Sequence, residues 1–250
     1  MPDTWTGGDS YERFIGRWSR PVAADFIPSL GVRPGARWCD VGCGTGALTA
    51  AVLAHADPAE VVGVDPSPAY VAHAAAHVAD PRARFAVGSA TELPAMGPRD
   101  AVVSGLVLNF VPDPVAAVAA MAACATPGGT VAVYVWDYAG DMQVLRRFWD
   151  AADAGDLDEG RRFGALCSPE GLARTFDAAG LPDHDVRPID VDTPFTDFED
   201  FWQPFLGCQG PAPGYVATLD DEARAALRHR LEAQPLPRRA RAWAIRARRP

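Results

Sequence analysis

Short apolar runs alternate with stretches of helical period through the first half of the chain. The runs predict strands at Arg37–Val41, Val61–Asp65, Arg84–Gly88, Ala101–Val107 and Thr130–Trp136. Between them the spacing of apolar positions predicts helices near Ala47–Ala56, Pro68–Ala79 and Pro114–Ala125. Two of these open on a capping side chain followed by proline, Ser67-Pro68 and Asp113-Pro114. There the missing N–H costs nothing and the side-chain oxygen satisfies a free amide. Strand–helix alternation of this kind predicts an α/β fold, a parallel sheet covered on both faces.

Beyond Trp136 the pattern changes. A helix, "MQVLRRFWDAAD", precedes "SPEGLARTFDAAG", which has Ser168 as cap, Pro169 at its first position and Gly180 as its stop. A strand near Asp185–Val191 leads into the aromatic-rich "TPFTDFEDFWQPFLG", the amphipathic "DDEARAALRHRLEA" and a last strand, "ARAWAIRA". Both faces of that strand are apolar over Ala242–Ile245, which predicts a place inside the sheet and not at its edge. No repeat or low-complexity linker divides the chain. One domain over residues 1–250 is therefore expected, with an N-terminal cap over 1–30 and an accessory excursion over 193–237.

Composition narrows the classes. With 250 residues, 48% of them hydrophobic, the chain can bury a core on both faces of a sheet. No run approaches the ~20 apolar residues of a membrane span, so no membrane partner is expected. The opening "MPDTWTGGDSYERF" has no apolar signal core, which makes a cytoplasmic location the expectation. Cys39, Cys43, Cys124, Cys167 and Cys208 are scattered without a C-x-x-C pair, arguing against a disulfide framework or zinc site. A net charge of -9 opposes nucleic-acid binding despite the basic runs "RHR" and "RRARAWAIRARRP". His73 and His77 are four apart on a predicted helix, yet no third ligand follows at a suitable spacing, so no metal is expected.

The candidate chemistry lies in "WCDVGCGTGALT", Trp38–Thr49, which places an acid at a strand end and then glycines at every second position. Gly42, Gly44 and Ala47 satisfy G-x-G-x-x-A, and Asp65 follows about 20 residues on, as in dinucleotide-binding folds. Asp40, however, would repel a pyrophosphate and suits a ligand ammonium group. Gly46 lengthens the open face of the loop. Asp65 closes "VVGVD", where a carboxylate can accept both hydroxyl protons of a ribose. Ser67 already fills the capping position, so Asp65 is not needed there.

"DVGCGTG", "GVDPSPAYV", "VGSATELP", "AVVSGLVLNFVPDP" and "PGGTVAVYVWD", in that order and spacing, resemble the successive motifs of class I S-adenosylmethionine-dependent methyltransferases. The resemblance covers about Tyr11–Asp137 and extends to the final strand. It implies a Rossmann-like, doubly wound seven-stranded sheet of order 3-2-1-4-5-7-6 with the seventh strand antiparallel. It also implies S-adenosylmethionine as cofactor, with Asp40, Gly42, Gly44 and Gly46 at its methionine part, Asp65 at the ribose and Pro66 beside the adenine. Ser89 stands where the family usually has an acid. It keeps an acceptor but loses the charge, and Ala90 offers a backbone N–H. Ser104 to Leu106 match the wall facing the sulfonium.

In similar enzymes the segment "SYERFIGRWSR" closes over the cofactor, which makes Tyr11 and Arg17 candidates. Trp136, Asp137 and Tyr138 end the fifth strand on the ligand side of an open sheet and are candidates for the acceptor. Phe198, Phe201, Trp202 and Phe205 recur at helical spacing, which reads first as packing and second as an apolar roof, with Trp202 the candidate contact. Asn109-Phe110-Val111-Pro112 departs from the pattern of enzymes that methylate base amino groups. The expected reaction is in-line methyl transfer to a small-molecule acceptor, with no catalytic base nominated. Two alternatives stay open: an NAD(P)-dependent oxidoreductase on a related sheet, and a non-catalytic cofactor-binding partner subunit.

Overall fold

The computed structural model describes residues 15–93, 95–207 and 210–250. Tyr11, among the cofactor candidates, and Cys208 lie outside the described residues. Five strands, β1 (Arg37–Val41), β2 (Glu60–Asp65), β3 (Ala83–Val87), β4 (Arg99–Gly105) and β5 (Ala125–Trp136), run parallel. β7 (Arg239–Arg248) pairs antiparallel with both β5 and β6 (His184–Asp192). The sheet order is β3-β2-β1-β4-β5-β7-β6, as the resemblance implied. β7 is interior because its buried positions, Ala240, Ala242, Ala244, Ile245 and Ala247, are small or apolar on both faces.

The helices are α1 (Arg17–Ser29), α2 (Ala47–His55), α3 (Pro68–His77), α4 (Pro114–Cys124), α5 (Gln143–Ala152), α6 (Glu159–Phe163), α7 (Pro169–Ala178), α8 (Phe198–Gly207), α9 (Pro211–Thr218) and α10 (Asp221–Glu232). They cover both faces of the sheet, α1 packing with α2 and α4 with α7. The predicted caps form. Ser67 Oγ accepts from Tyr70 N–H (3.4 Å), Asp113 Oδ1 from Ala116 N–H (2.9 Å) and Ser168 Oγ from Gly171 N–H (3.0 Å). α7 stops at Gly180, whose φ of +82° suits a residue without a β-carbon, and Leu181 N–H returns to Phe176 O at 2.9 Å.

Differences from expectation include two strand boundaries and one helix. β4 ends at Gly105, before the predicted Val107, because Leu106 takes φ +62° and turns the chain across the strand tip. β5 begins at Ala125, before the predicted Thr130, since an irregular register lets Arg99 pair with Ala125 ahead of the Ala101–Thr130 pairing. α9 carries two prolines and a glycine in "PAPGYVAT" and so gave no helical signal, but buried Ala212, Pro213 and Val216 hold it. Buried apolar side chains from Ile15 to Ala247 form one connected core. Among the described residues no helix is long and apolar enough to cross a membrane.

Candidate active site

β2, β1, β4 and β5 lie side by side, and the turns leaving their C-terminal ends line one cavity of about 980 Å³, its open mouth included. Asp65 ends β2 and Trp136 ends β5, three strand spacings apart in the sheet order, or ~14 Å. The cavity therefore runs across the sheet from an acid at one end to aromatic rings at the other.

At the first end the glycine loop and Asp65 hold each other. Gly44 N–H donates to Asp65 Oδ2 at 3.0 Å and Ser67 N–H to Oδ1 at 2.8 Å. Each oxygen keeps a further lone pair for a ligand hydroxyl. Burial raises the Asp65 pKa, and these two N–H groups oppose the rise. Gly44 sits at φ +51°, and a β-carbon there would meet nothing within 4 Å, so its missing side chain leaves open space over the loop. At Gly42 the reason is different, since an added β-carbon would lie 2.5 Å from the Val107 side chain.

Asp40 lies beneath the loop, fully buried. Its Oδ2 accepts from the Thr49 hydroxyl at 2.7 Å, while Oδ1 has no hydrogen-bond partner. Burial pushes its pKa to about 7, the charge of Asp65 adds to the rise, and the Thr49 hydrogen bond resists it.

At the far end the lining is aromatic and aliphatic: Phe110, Tyr134, Trp136, Tyr138, Leu145 and Pro211. Phe26 of α1 braces Tyr134 edge-on at 4.8 Å between centroids. The Asn109 amide donates to the Tyr138 hydroxyl at 3.5 Å. One carboxylate joins this end, that of Glu159, 4% exposed, which accepts the Trp149 indole N–H at 3.0 Å through Oε2.

Of the sequence candidates, the structure brings Gly42, Gly44, Asp65, Leu106, Trp136 and Tyr138 together around this cavity. Pro66, Ser89 and Ala90 follow the tips of β2 and β3, which are paired through Asp65 and Val87, just beyond the lining. Gly46 faces α3, where a β-carbon would meet Val78.

Four expectations are corrected. Ser104 donates its hydroxyl to Val41 O at 2.7 Å, tying β4 to β1, and does not face the cavity. Arg17 forms a two-pronged pair with Asp200 (2.8 and 3.2 Å) and lies over the Trp18 ring, so it fastens α1 to α8 and leaves the cavity unlined. Asp137 turns its carboxylate to Asp141 N–H at 2.9 Å and so shapes the turn after β5. Trp202 is 2% exposed and packs with Phe198 and Phe205, the latter stacked on Phe148 of α5. The aromatic cluster is core, and the excursion reaches the cavity through Pro211 instead.

Sequence reading missed Ser19, Cys43, Tyr70, Tyr134 and Glu159 as lining residues. Cys43 lies inside the glycine motif, so a finer reading of that motif could have included it. Glu159 belongs to a short helix whose only signal is its cap, Asp158, which accepts from Gly160 N–H at 2.7 Å. His73 and His77 stack at 3.9 Å with His77 Nδ1 on the His73 carbonyl, and no metal-binding cluster exists among the described residues.

Residues 39–129 match the family described as methyltransferase domain. Trans-aconitate 2-methyltransferase of Methylobacterium radiotolerans is 34% identical over 128 residues, 51% of this chain and 48% of that protein. The 2-methyl-6-phytyl-1,4-hydroquinone methyltransferase of Synechocystis is 30% identical over 208 residues, 76% of this chain and 65% of that protein. The chain thus spans about half to two thirds of the length of these relatives. In fold it resembles a chain from the complex formed with the Trm112 methyltransferase activator of Haloferax volcanii, with TM-score 0.64, 20% identity and coverage of 100% and 99%. The sheet order, the glycine loop with its acid and the family match define a class I methyltransferase fold. Residues 39–129 carry a methyltransferase domain, and together with the sheet order and the methyltransferase relatives this supports a class I S-adenosylmethionine-dependent methyltransferase.

Proposed function

We propose that this chain transfers a methyl group from S-adenosylmethionine to a small-molecule acceptor held at the aromatic end of the cavity. The observation that carries the reading is the single continuous cavity, with Asp65 and the open face of Gly44 at one end and Phe110, Trp136 and Tyr138 at the other. The residues fit the cofactor. Asp65 has lone pairs free for the two ribose hydroxyls, and the open face of Gly44 leaves room for the methionine part. Pro66, Ser89 and Ala90 flank the adenine side. Asp40 carries a buried oxygen without a partner beneath the loop, where a ligand ammonium group would favour its charged form.

When bound, S-adenosylmethionine supplies a methyl group already made electrophilic by positive sulfur. The chain's own task is then to align the acceptor and exclude water. Leu106, held at φ +62°, lines the cavity just past the tip of β4, between the β2 and β5 ends. Strain at such a residue is retained where the surrounding structure over-determines it. A small acceptor is supported by the enclosed lining and by the acceptors in the relatives' names. A net charge of -9 disfavours a polyanionic macromolecule.

The test is formation of S-adenosylhomocysteine from S-adenosylmethionine across a panel of phenols, alcohols and amines, with Gly44→Val as control. Turnover by the wild type and none by the variant is expected. Tight S-adenosylhomocysteine binding with no turnover on any acceptor would instead favour a non-catalytic subunit.

A further inference from the structure

Two cysteines outside the cavity lining lie side by side. Cys39, in β1, is fully buried and pairs with Val62 of β2 and Val102 of β4. Cys124 is the last residue of α4 and is half-buried. α4 packs on β4 and β5, and Ala125, the residue after Cys124, pairs with Arg99 of β4. The end of α4 is thereby held against the strand next to β1, and the Cys39 and Cys124 thiols come within reach of a hydrogen bond. Both are free thiols. Two guanidinium groups are fixed around them. Arg99, 4% exposed, pairs with Glu60 at 2.6 Å and donates to Met96 O at 2.5 Å, while its buried Nε has no hydrogen-bond partner among the described residues. Arg249 donates to Ala123 O at 3.2 Å and to Ala125 O, the carbonyls on either side of Cys124. The Cys39 hydrogen bond lowers the Cys124 pKa, burial opposes it, and the charges of Arg99 and Arg249 assist. Cys39 moves the other way. The same hydrogen bond, its burial and the charges of Cys124 and Asp40 raise it, and Arg99 offsets only part of the rise. Burial likewise raises Cys43 and Cys167, which leaves Cys124 as the thiol of highest thiolate character among the described cysteines.

We propose that Cys124 is a modification site for hydroperoxides and Cys39 its resolving partner, so that oxidation joins β1 to the end of α4 through a disulfide. A solvent-accessible thiolate beside a second thiol and fixed cations is the arrangement that peroxide oxidises selectively. In the first step the Cys124 thiolate attacks one oxygen of the peroxide. The sulfur–oxygen bond forms, the oxygen–oxygen bond breaks, and the second oxygen leaves as hydroxide, or as alkoxide from an organic hydroperoxide. Sulfur is oxidised to the sulfenic acid and the peroxide is reduced. In the second step Cys39 gives its proton to the departing oxygen and its sulfur attacks the Cys124 sulfur, so that the sulfur–oxygen bond breaks and water leaves. A dithiol reductant reverses the product by exchange. The crosslink would sit one residue from Asp40, which lies beneath the glycine loop, on a strand otherwise held to its neighbours only by sheet pairing and packing.

The experiment treats the reduced full chain with hydrogen peroxide at neutral pH and maps its cysteines by mass spectrometry of peptides prepared without reductant. The wild type should yield an intramolecular Cys39–Cys124 link that dithiothreitol removes. Cys39→Ala, treated with dimedone present, should accumulate the sulfenic-acid adduct at Cys124, and Cys124→Ala should leave Cys39 a free thiol. Before oxidation, iodoacetamide should alkylate Cys124 at least about tenfold faster than Cys43 or Cys167. Circular dichroism checks that the variants fold, but the decisive reading is made on the wild type and needs neither variant. It needs no cofactor or acceptor either, so its outcome is separate from that of the methyl-transfer reading. A wild-type Cys124 that stays a free thiol under peroxide, links to a cysteine other than Cys39, or passes to the sulfinic acid without a link would overturn the assignment. Equal alkylation of Cys124, Cys43 and Cys167 would overturn it as well.

Discussion

Asp40→Asn isolates the electrostatic cost built into the glycine loop. Asp40 is fully buried with one oxygen unpartnered, and its pKa stands at about 7 against an ordinary 3.8. Because the folded-state value is the higher one, folding is favoured while the group is protonated. That contribution is complete below about pH 4 and is lost as pH rises toward 7. At ~1.36 kcal/mol per pH unit, and counting only the part of the window above pH 4.5, the loss is on the order of 3 kcal/mol between pH 4.5 and pH 8. Asparagine can still accept from Thr49 but buries an amide N–H₂ without a partner, a pH-independent cost of about 1–3 kcal/mol. The informative quantity is therefore the slope and not the absolute stability. Urea denaturation of both proteins at pH 4.5, 6, 7 and 8 should show the variant gaining on the wild type as pH rises. A difference that stays flat across that range would mean that Asp40 does not titrate as its burial requires.

Asp65→Ala should weaken S-adenosylhomocysteine binding by on the order of 2 kcal/mol, about thirtyfold, because the ribose loses its acceptor and Gly44 its partner; calorimetry on the folded variant checks it, and unchanged affinity would remove Asp65 from the site. Gly44→Val should abolish that binding while costing only about 1–2 kcal/mol of stability from its left-handed φ, read by thermal unfolding alongside the titration. Trp202→Ala should lower stability by about 3–5 kcal/mol without a selective effect on acceptor affinity, since the ring packs in the core. Selective loss of acceptor binding in a stable Trp202 variant would restore it to the cavity.

The sheet was legible because each strand carried its own signal: short apolar runs, with the acids Asp40 and Asp65 at or next to the ends of the first two, and proline-capped helices between them. The order placing β7 between β5 and β6 came from the motif resemblance, with the two-sided apolarity of Ala242–Ile245 agreeing. The β2 end of the cavity was legible for the same reason, since Gly42, Gly44 and Asp65 lie at strand tips whose location follows from the pattern itself. The acceptor end was not. Helical spacing of Phe201, Trp202 and Phe205 specifies a buried face, but what covers that face is α5, and no local signal distinguishes this from a ligand. Arg17 carried no sign of Asp200, its partner across most of the chain. Glu159 joins the lining only once α5 and α6 are docked, through the Trp149–Glu159 hydrogen bond and the Arg146–Asp158 pair, and neither contact has a local signal.

Parallel calorimetric titration of S-adenosylhomocysteine and NADPH into the wild-type protein decides whether the cavity spanning β2 to β5 is a site for an adenosyl cofactor of methyl transfer. Saturable binding of S-adenosylhomocysteine at one site per chain, with no heat from NADPH, is the expected result. Binding of NADPH with none of S-adenosylhomocysteine would contradict the account and assign the glycine loop to a dinucleotide.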